Sequence, residues 1–191
     1  MKYTLLLLLI AISCVSSSPT NKVQMEAEVE TYNEKLSSWK ISHKPSPKEM
    51  MKLTVAIRIE DDVVAKLEKE LYELSDPRHV RYGKHKTVDE ITELLNVPES
   101  RFQNVQNFFI KNGVKTAQLN PNKDMVTIEA SVETIETILS TTIHAFQHNS
   151  NADTVILRAS KPYFLPSSIA SEIFMVGELL QFPRLRMKSL V

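Results

Sequence analysis

Residues 52–74 read KLTVAIRIEDDVVAKLEKELYEL, and the fold turns on them. In the first half, Leu53, Val55, Ile57 and Ile59 alternate with Thr54, Ala56 and Arg58. That is the two-residue period of a strand buried on one face. From Asp61 the period changes: Val63, Val64, Leu67, Leu71 and Leu74 fall on one helical stripe, with Asp61 as the expected cap. Ser75-Asp76-Pro77 stops the helix.

Downstream, a polar, aromatic loop runs to Lys86, and Thr87 with Glu90 forms a capping-box pair for a helix through Leu95. Pro98 opens another helix with Phe102, Val105 and Phe109 on its buried face, ended by Asn112-Gly113. Residues 115–119 and 125–130 read as strands joined by Asn120-Pro121-Asn122-Lys123. Ser131 caps a helix bearing Val132, Ile135, Ile138 and Leu139, and short strands follow near 142–146 and 154–159. The order strand–helix–strand–strand–helix–strand is a split βαβ unit. The predicted class is α+β and ferredoxin-like. An antiparallel sheet carries helices on one face, with inserted helices after the first strand and one strand added at the end. Its expected core is Val55, Ile57, Leu67, Leu71, Phe102, Val105, Phe109, Val126, Ile128, Ile135 and Leu139.

Upstream, Lys2, the apolar run Leu5–Ile12 and the small residues Ser13–Ser18 read as a signal peptide over 1–18. Cys14, the single cysteine, leaves with it, so the mature chain is expected to lack disulfides. Residues 19–50 form a polar leader in which Pro45 and Pro47 discourage regular structure, with room for a short helix over 25–39. The domain proper is expected over 51–183 and a basic tail over 184–191, with 19–36 and 186–191 loosely held.

Composition narrows the function. Lys+Arg and Asp+Glu both number 23, which leaves no electrostatic footprint for nucleic acid or an anionic membrane. Glycine is scarce, at Gly83, Gly113 and Gly177 only. Phosphate-cradling loops and the hydrolase nucleophile elbow each need glycines close together, so both are excluded. His144 and His148 would span about 13 Å on a strand and find no adjacent third metal ligand. No spacing selects a Ser-His-Asp triad. Neither a catalytic residue, a metal ligand nor a cofactor is expected.

An ordered set of residues carries a resemblance. Trp39 precedes the first strand. Ser75-Asp76-Pro77, Tyr82-Gly83-Lys84-His85 and Thr87 follow the long helix, and Phe108 to Gly113 ends the next one. Further on stand Arg158, Tyr163, Leu165-Pro166, Val176-Gly177 and Phe182-Pro183. Together, over about residues 37–185, they resemble the activation domain of the sedolisin, or serine-carboxyl, peptidases, nearest to its tripeptidyl-peptidase members. Val80, Lys86, Phe108 and Glu178 depart from the family pattern, the last standing where a second Gly can occur. The family's Gly-Thr-Ser nucleophile motif is absent from the chain.

The resemblance implies a pro-segment without its catalytic domain. It would be an intramolecular chaperone and inhibitor, released in acid, whose partner is a sedolisin-type catalytic domain in cis or in trans. A free-standing secreted inhibitor acting in trans is the alternative, and a ferredoxin-like RNA-binding module a remote one. No nucleic-acid partner is expected, and no membrane partner after signal cleavage. The address is the secretory pathway, extracellular or lysosomal. The residues implied at the peptidase interface are Tyr82, Gly83, Lys84, His85, Arg158, Tyr163, Leu165, Pro166, Gly177, Phe182 and Pro183. Arg184, Arg186 and Lys188 form a linker suited to processing. His85, then His79, are the pH-sensing candidates.

Overall fold

The structure, a computed structural model, describes residues 21–34 and 37–184. The signal peptide reading and the tail residues Arg186 and Lys188 lie outside them. The alternation over 53–57 becomes strand β3 (Met50–Ile57), with Leu53, Val55 and Ile57 almost wholly buried. β3 is central in a four-stranded antiparallel sheet of order β4-β5-β3-β9, made with β4 (Thr116–Leu119), β5 (Met125–Ser131) and β9 (Ile173–Gly177). This is the strand order of the split βαβ unit. Two helices cover one face: α3 (Glu99–Lys111) and α4 (Val132–Leu139). Phe102, Val105 and Phe109 from α3 and Ile135 and Leu139 from α4 meet Val55, Val126 and Ile128 there. Both helices end as the sequence requires. Ser131 Oγ accepts the Thr134 amide at 3.3 Å, and the Asn112 amide folds back onto Phe108 O.

The fourth strand of the sheet is β9, and not the segment near 142–146 that the sequence suggested. That segment, as β6 (Ile143–His148), forms a hairpin with β7 (Asn151–Ala159). It also pairs with β2 (Trp39–His43) in a separate three-stranded sheet. A two-stranded ribbon joins β1 (Lys22–Gln24) to β8 (Phe164–Pro166), which runs into a short helix α5 (Ser167–Ala170). The leader therefore contributes β1 and β2, where the sequence suggested at most a short helix. Met25 is buried, and its amide donates to Tyr163 O at 3.0 Å, so residues 21–26 are stitched down rather than loose. Both leader strands obtain their partners from more than 100 residues away, so nothing local announces them.

α1 (Asp61–Ser75) and α2 (Val88–Leu95) are the inserted helices. α2 carries the full Thr87–Glu90 capping box. The cap of α1 is Glu60, without a side-chain bond, and Asp61 and Asp62 occupy the first turn. Leu71 was expected in the core but is 62% exposed, and Leu67 is only half-buried; Leu74 alone of the stripe is buried. The cause is competition, because α3 and α4 already occupy the sheet face that the α1 stripe would need.

Phe109 is fully buried. Phe109→Ala is expected to destabilise the chain by about 3–5 kcal/mol in urea unfolding; a loss near zero would show that α3 does not seat its ring.

Candidate functional site

The face of the sheet opposite α3 and α4 bears Lys52, Thr54 and Ala56 from β3, Met125, Thr127 and Glu129 from β5, and Met175 and Gly177 from β9. A β-bulge in β9 opposite Ala56–Ile57 throws the side chain of Phe174 outward, where it is 57% exposed beneath the Arg58 guanidinium at 5.8 Å. Between this face and the start of α1 lies a groove of about 430 Å³, walled by Ala56, Val64, Met125, Phe174 and Met175 and edged by Asp61 and Asp124. Sequence reasoning missed Phe174 and Met125 here, because an apolar residue displaced by a bulge looks like part of a buried run. At Gly177 a Cβ would stand 3.3 Å from Thr54 O, so glycine lets β9 close against β3.

The residues Tyr82, Gly83, Lys84 and His85 form an exposed turn beside α1, with Gly83 at φ +71 and its amide donating to Leu74 O. The turn is pinned by charge. Arg81 spans Glu73 at 2.7 Å and Glu70 at 2.9 Å, and Lys86 lies 3.3 Å from Glu70. The Arg81 guanidinium, with Lys86 adding to it, holds the Glu70 carboxyl below the ordinary glutamate range against the opposing pull of burial. Nδ1 of His79 accepts the Arg81 amide at 3.2 Å, while His85 is exposed.

Two of the other residues implied at an interface lie inside. Tyr163 and Leu165 are fully buried. The Tyr163 hydroxyl donates to Glu26 Oε2 at 2.6 Å and accepts the Val176 amide at 2.9 Å, tying the N-terminal segment to β9. Burial first, then the Glu26 bond, pushes its phenol far above the ordinary tyrosine range. Leu165 and Pro166 pair with Val23 and Lys22. Arg158, Phe182 and Pro183 gather instead with Trp39 at the end of the three-stranded sheet. There the Arg158 Nε donates to Gln181 O at 2.7 Å and the Trp39 Nε1 to Pro183 O at 3.3 Å. Arg184 follows, exposed.

His144 sits beside Ser160 Oγ at 3.0 Å, and His148 Nδ1 accepts the Ser150 amide. Among the described residues no group of three His, Cys, Asp or Glu could hold a metal, and no helix is long and apolar enough to cross a membrane.

The family model described as the pro-kumamolisin activation domain matches residues 37–182. The chain is 31% identical over 134 residues to physarolisin of Physarum polycephalum, covering 70% of this chain and 23% of that protein. It is 25% identical over 169 residues to tripeptidyl-peptidase SED4 of Arthroderma otae, with 88% of this chain and 28% of the other covered. With tripeptidyl-peptidase 1 of Bos taurus it shares 29% identity over 145 residues, 76% of this chain and 25% of that protein. The chain thus spans about a quarter of the length of the curated relatives it matches.

Two outcomes test the internal ties. Tyr163→Phe leaves the buried Val176 amide without an acceptor and should cost about 1–3 kcal/mol by urea unfolding; an unchanged midpoint would remove the tie. A glutamate whose folded pKa is depressed contributes fully above its ordinary value, near 4.3, and loses that contribution as pH falls through the depressed one. The Tyr82–His85 turn should therefore keep its Gly83 amide protected from hydrogen exchange at pH 5 and lose protection only in stronger acid. Arg81→Ala should release it already at neutral pH; equal protection in that variant would show that the charges do not hold the turn.

Proposed function

The chain belongs to the pro-kumamolisin activation-domain family, and from that premise we propose that it is the pro-segment of a sedolisin-type peptidase, folding with the catalytic domain and inhibiting it until acid weakens their contact. The observation that supports this most is the sheet with one face filled and the other open. A core of β3, β5, α3 and α4 makes the domain rigid, while Met125 and Phe174 stand exposed beside an apolar groove. Exposed apolar residues set in a groove mark a surface that meets a partner. In this reading the partner is the catalytic domain, held in cis, or in trans by a separate copy of this chain. The exposed Tyr82–His85 turn beside α1 gives a second contact. The segment beyond Arg184 blocks the cleft, and the complex belongs to the secretory pathway, lysosomal or extracellular.

The central strands β3 and β5 present Lys52, Thr54, Ala56, Thr127 and Glu129 outward, with no aromatic ring to stack a base. That favours a protein partner over RNA.

Acid release follows from the groove's edge. Asp61 and Asp124 edge the groove, where a cationic group of the peptidase would pair with them. Such pairs contribute to binding at neutral pH, and the contribution is lost as pH falls through the bound-state values. His85, then His79, remain the proposed pH-sensing candidates in the turn.

The test is the dissociation constant of residues 19–191 against a sedolisin-type peptidase, by surface plasmon resonance from pH 7 to 4. Binding should be tight at pH 7 and weaken toward pH 4; affinity that stays flat or tightens in acid would overturn acid release. Phe174→Asp should weaken binding at pH 7 by about tenfold or more with little change in melting, and parental affinity would move the interface off this face. A His85→Gln variant with the parent's pH profile would remove His85 from the account and leave the carboxylates.

A further inference from the structure

After β9 the chain turns through Glu178 and Leu179, bends at Leu180 and continues without regular structure beside the three-stranded sheet. Three of its carbonyls, at alternate positions, each meet one donor. The Ala159 amide donates to Leu179 O at 2.9 Å, the Arg158 Nε to Gln181 O at 2.7 Å, and the Trp39 indole N–H to Pro183 O at 3.3 Å. The donors belong to β7 and β2, so the segment is tied to the three-stranded sheet at three points although it adds no strand to it. Between the second and third carbonyl the Phe182 ring enters a box of rings, edge-on to Phe146 at 4.9 Å and within 5.7 Å of Tyr32 and 6.1 Å of Trp39. Tyr32 is fixed in turn, its hydroxyl donating to Trp39 O at 3.1 Å. Arg158 spends its Nη1 on Leu157 O at 2.8 Å and is half-buried, with the Glu178 carboxylate acting on its charge. A guanidinium placed so, on main-chain carbonyls, is a fixed double donor.

We propose that Trp39 and Arg158 are positioning residues of an exit clamp, which holds the main chain of residues 179–183 against the three-stranded sheet and fixes the direction in which the chain leaves the domain at Arg184. The inference rests on the inhibitor reading for its purpose: a segment already anchored at its root has less freedom left to lose on entering a peptidase cleft. Because the clamp grips carbonyls and one aromatic ring, it is indifferent to the side chains beyond Arg184.

Two arms test it. In the first, the mature chain and its Trp39→Phe and Arg158→Gln variants are digested with limiting trypsin, and cleavage at the Arg184–Leu185 bond is followed by mass spectrometry. A protease must pull residues 181–183 into its own site, so both variants should be cut about fivefold to tenfold faster there, the equivalent of one hydrogen bond. Trp39 is the chain's one tryptophan, so its indole N–H gives a single resonance, which should exchange faster in Arg158→Gln. Equal cutting rates with an unshifted indole exchange would overturn the clamp. The second arm measures binding and inhibition separately on a sedolisin-type peptidase. Each variant should bind as the parent does and inhibit about fivefold to tenfold less. Inhibition that weakens only in step with binding would overturn the positioning role. Absence of any binding by the parent would sink the inhibitor reading, and the trypsin arm would still decide the clamp.

Discussion

Everything in this domain hangs on β3 keeping its alternation in register between two neighbours. Met50 to Ala56 pair residue by residue with Ser131 to Met125, while Thr54 to Ile57 pair with β9 on the other side. A slip of one residue would turn Lys52 and Thr54 into the space now filled by Leu53 and Val55. The same constraint produces the outward face. Because the side-chain period is two, a strand that sends Leu53, Val55 and Ile57 inward must send Thr54, Ala56 and Arg58 outward, so the open face is what the core left over.

The strand–helix grammar of 52–139 was legible because each signal there is local: a period, a cap, a proline, a glycine. The Thr87–Glu90 box, the Ser131 cap and the buried face of α3 all follow from residues within four positions of one another. What escaped was decided at long range. The α1 stripe, with Leu67 and Leu71, is as regular as that of α3, and only competition for one sheet face separates them. β9 reads Ile-Phe-Met-Val-Gly, an apolar run without alternation, because the bulge at Phe174 breaks the period; its place beside β3 cannot be seen from its own residues. β1 and β2 are short and mostly exposed, and exist through partners in the second half of the chain.

The candidate site divides along a similar line. Matching motifs transfers identities but says nothing about burial. Tyr163 and Leu165 prove internal, Arg158, Phe182 and Pro183 belong to the packing of the C-terminal segment, and Tyr82 to His85 alone form an exposed turn. A tyrosine that must accept one buried amide and donate to one carboxylate is as narrowly specified as a contact residue, so both leave the same trace in a sequence pattern. The exposed apolar pair Met125 and Phe174 leaves none, because each sits in an apolar run that reads as buried strand.

A chain so short of glycine still needs the left-handed region, and where it accepts other residues there is informative. Asn96 and Ser140 end α2 and α4 in that conformation, and Lys123 turns the β4–β5 hairpin, which are ordinary places for it. Glu26 at φ 46 and Glu178 at φ 63 are different, since neither closes a helix or a hairpin. Each costs on the order of 1 kcal/mol or more relative to glycine and persists only if its surroundings over-determine it. They do so from both sides. Glu26 lies between the Met25 amide on Tyr163 O and its own carboxylate on the Tyr163 hydroxyl. Glu178 lies between the β3–β9 ladder and the Ala159 amide on Leu179 O. Both strained joints thus sit where a terminal segment is bent back onto the body of the domain. A glycine at Glu178 would remove the strain and also loosen the bend, so the glutamate trades local stability for a fixed direction at the root of the segment that ends in Arg184.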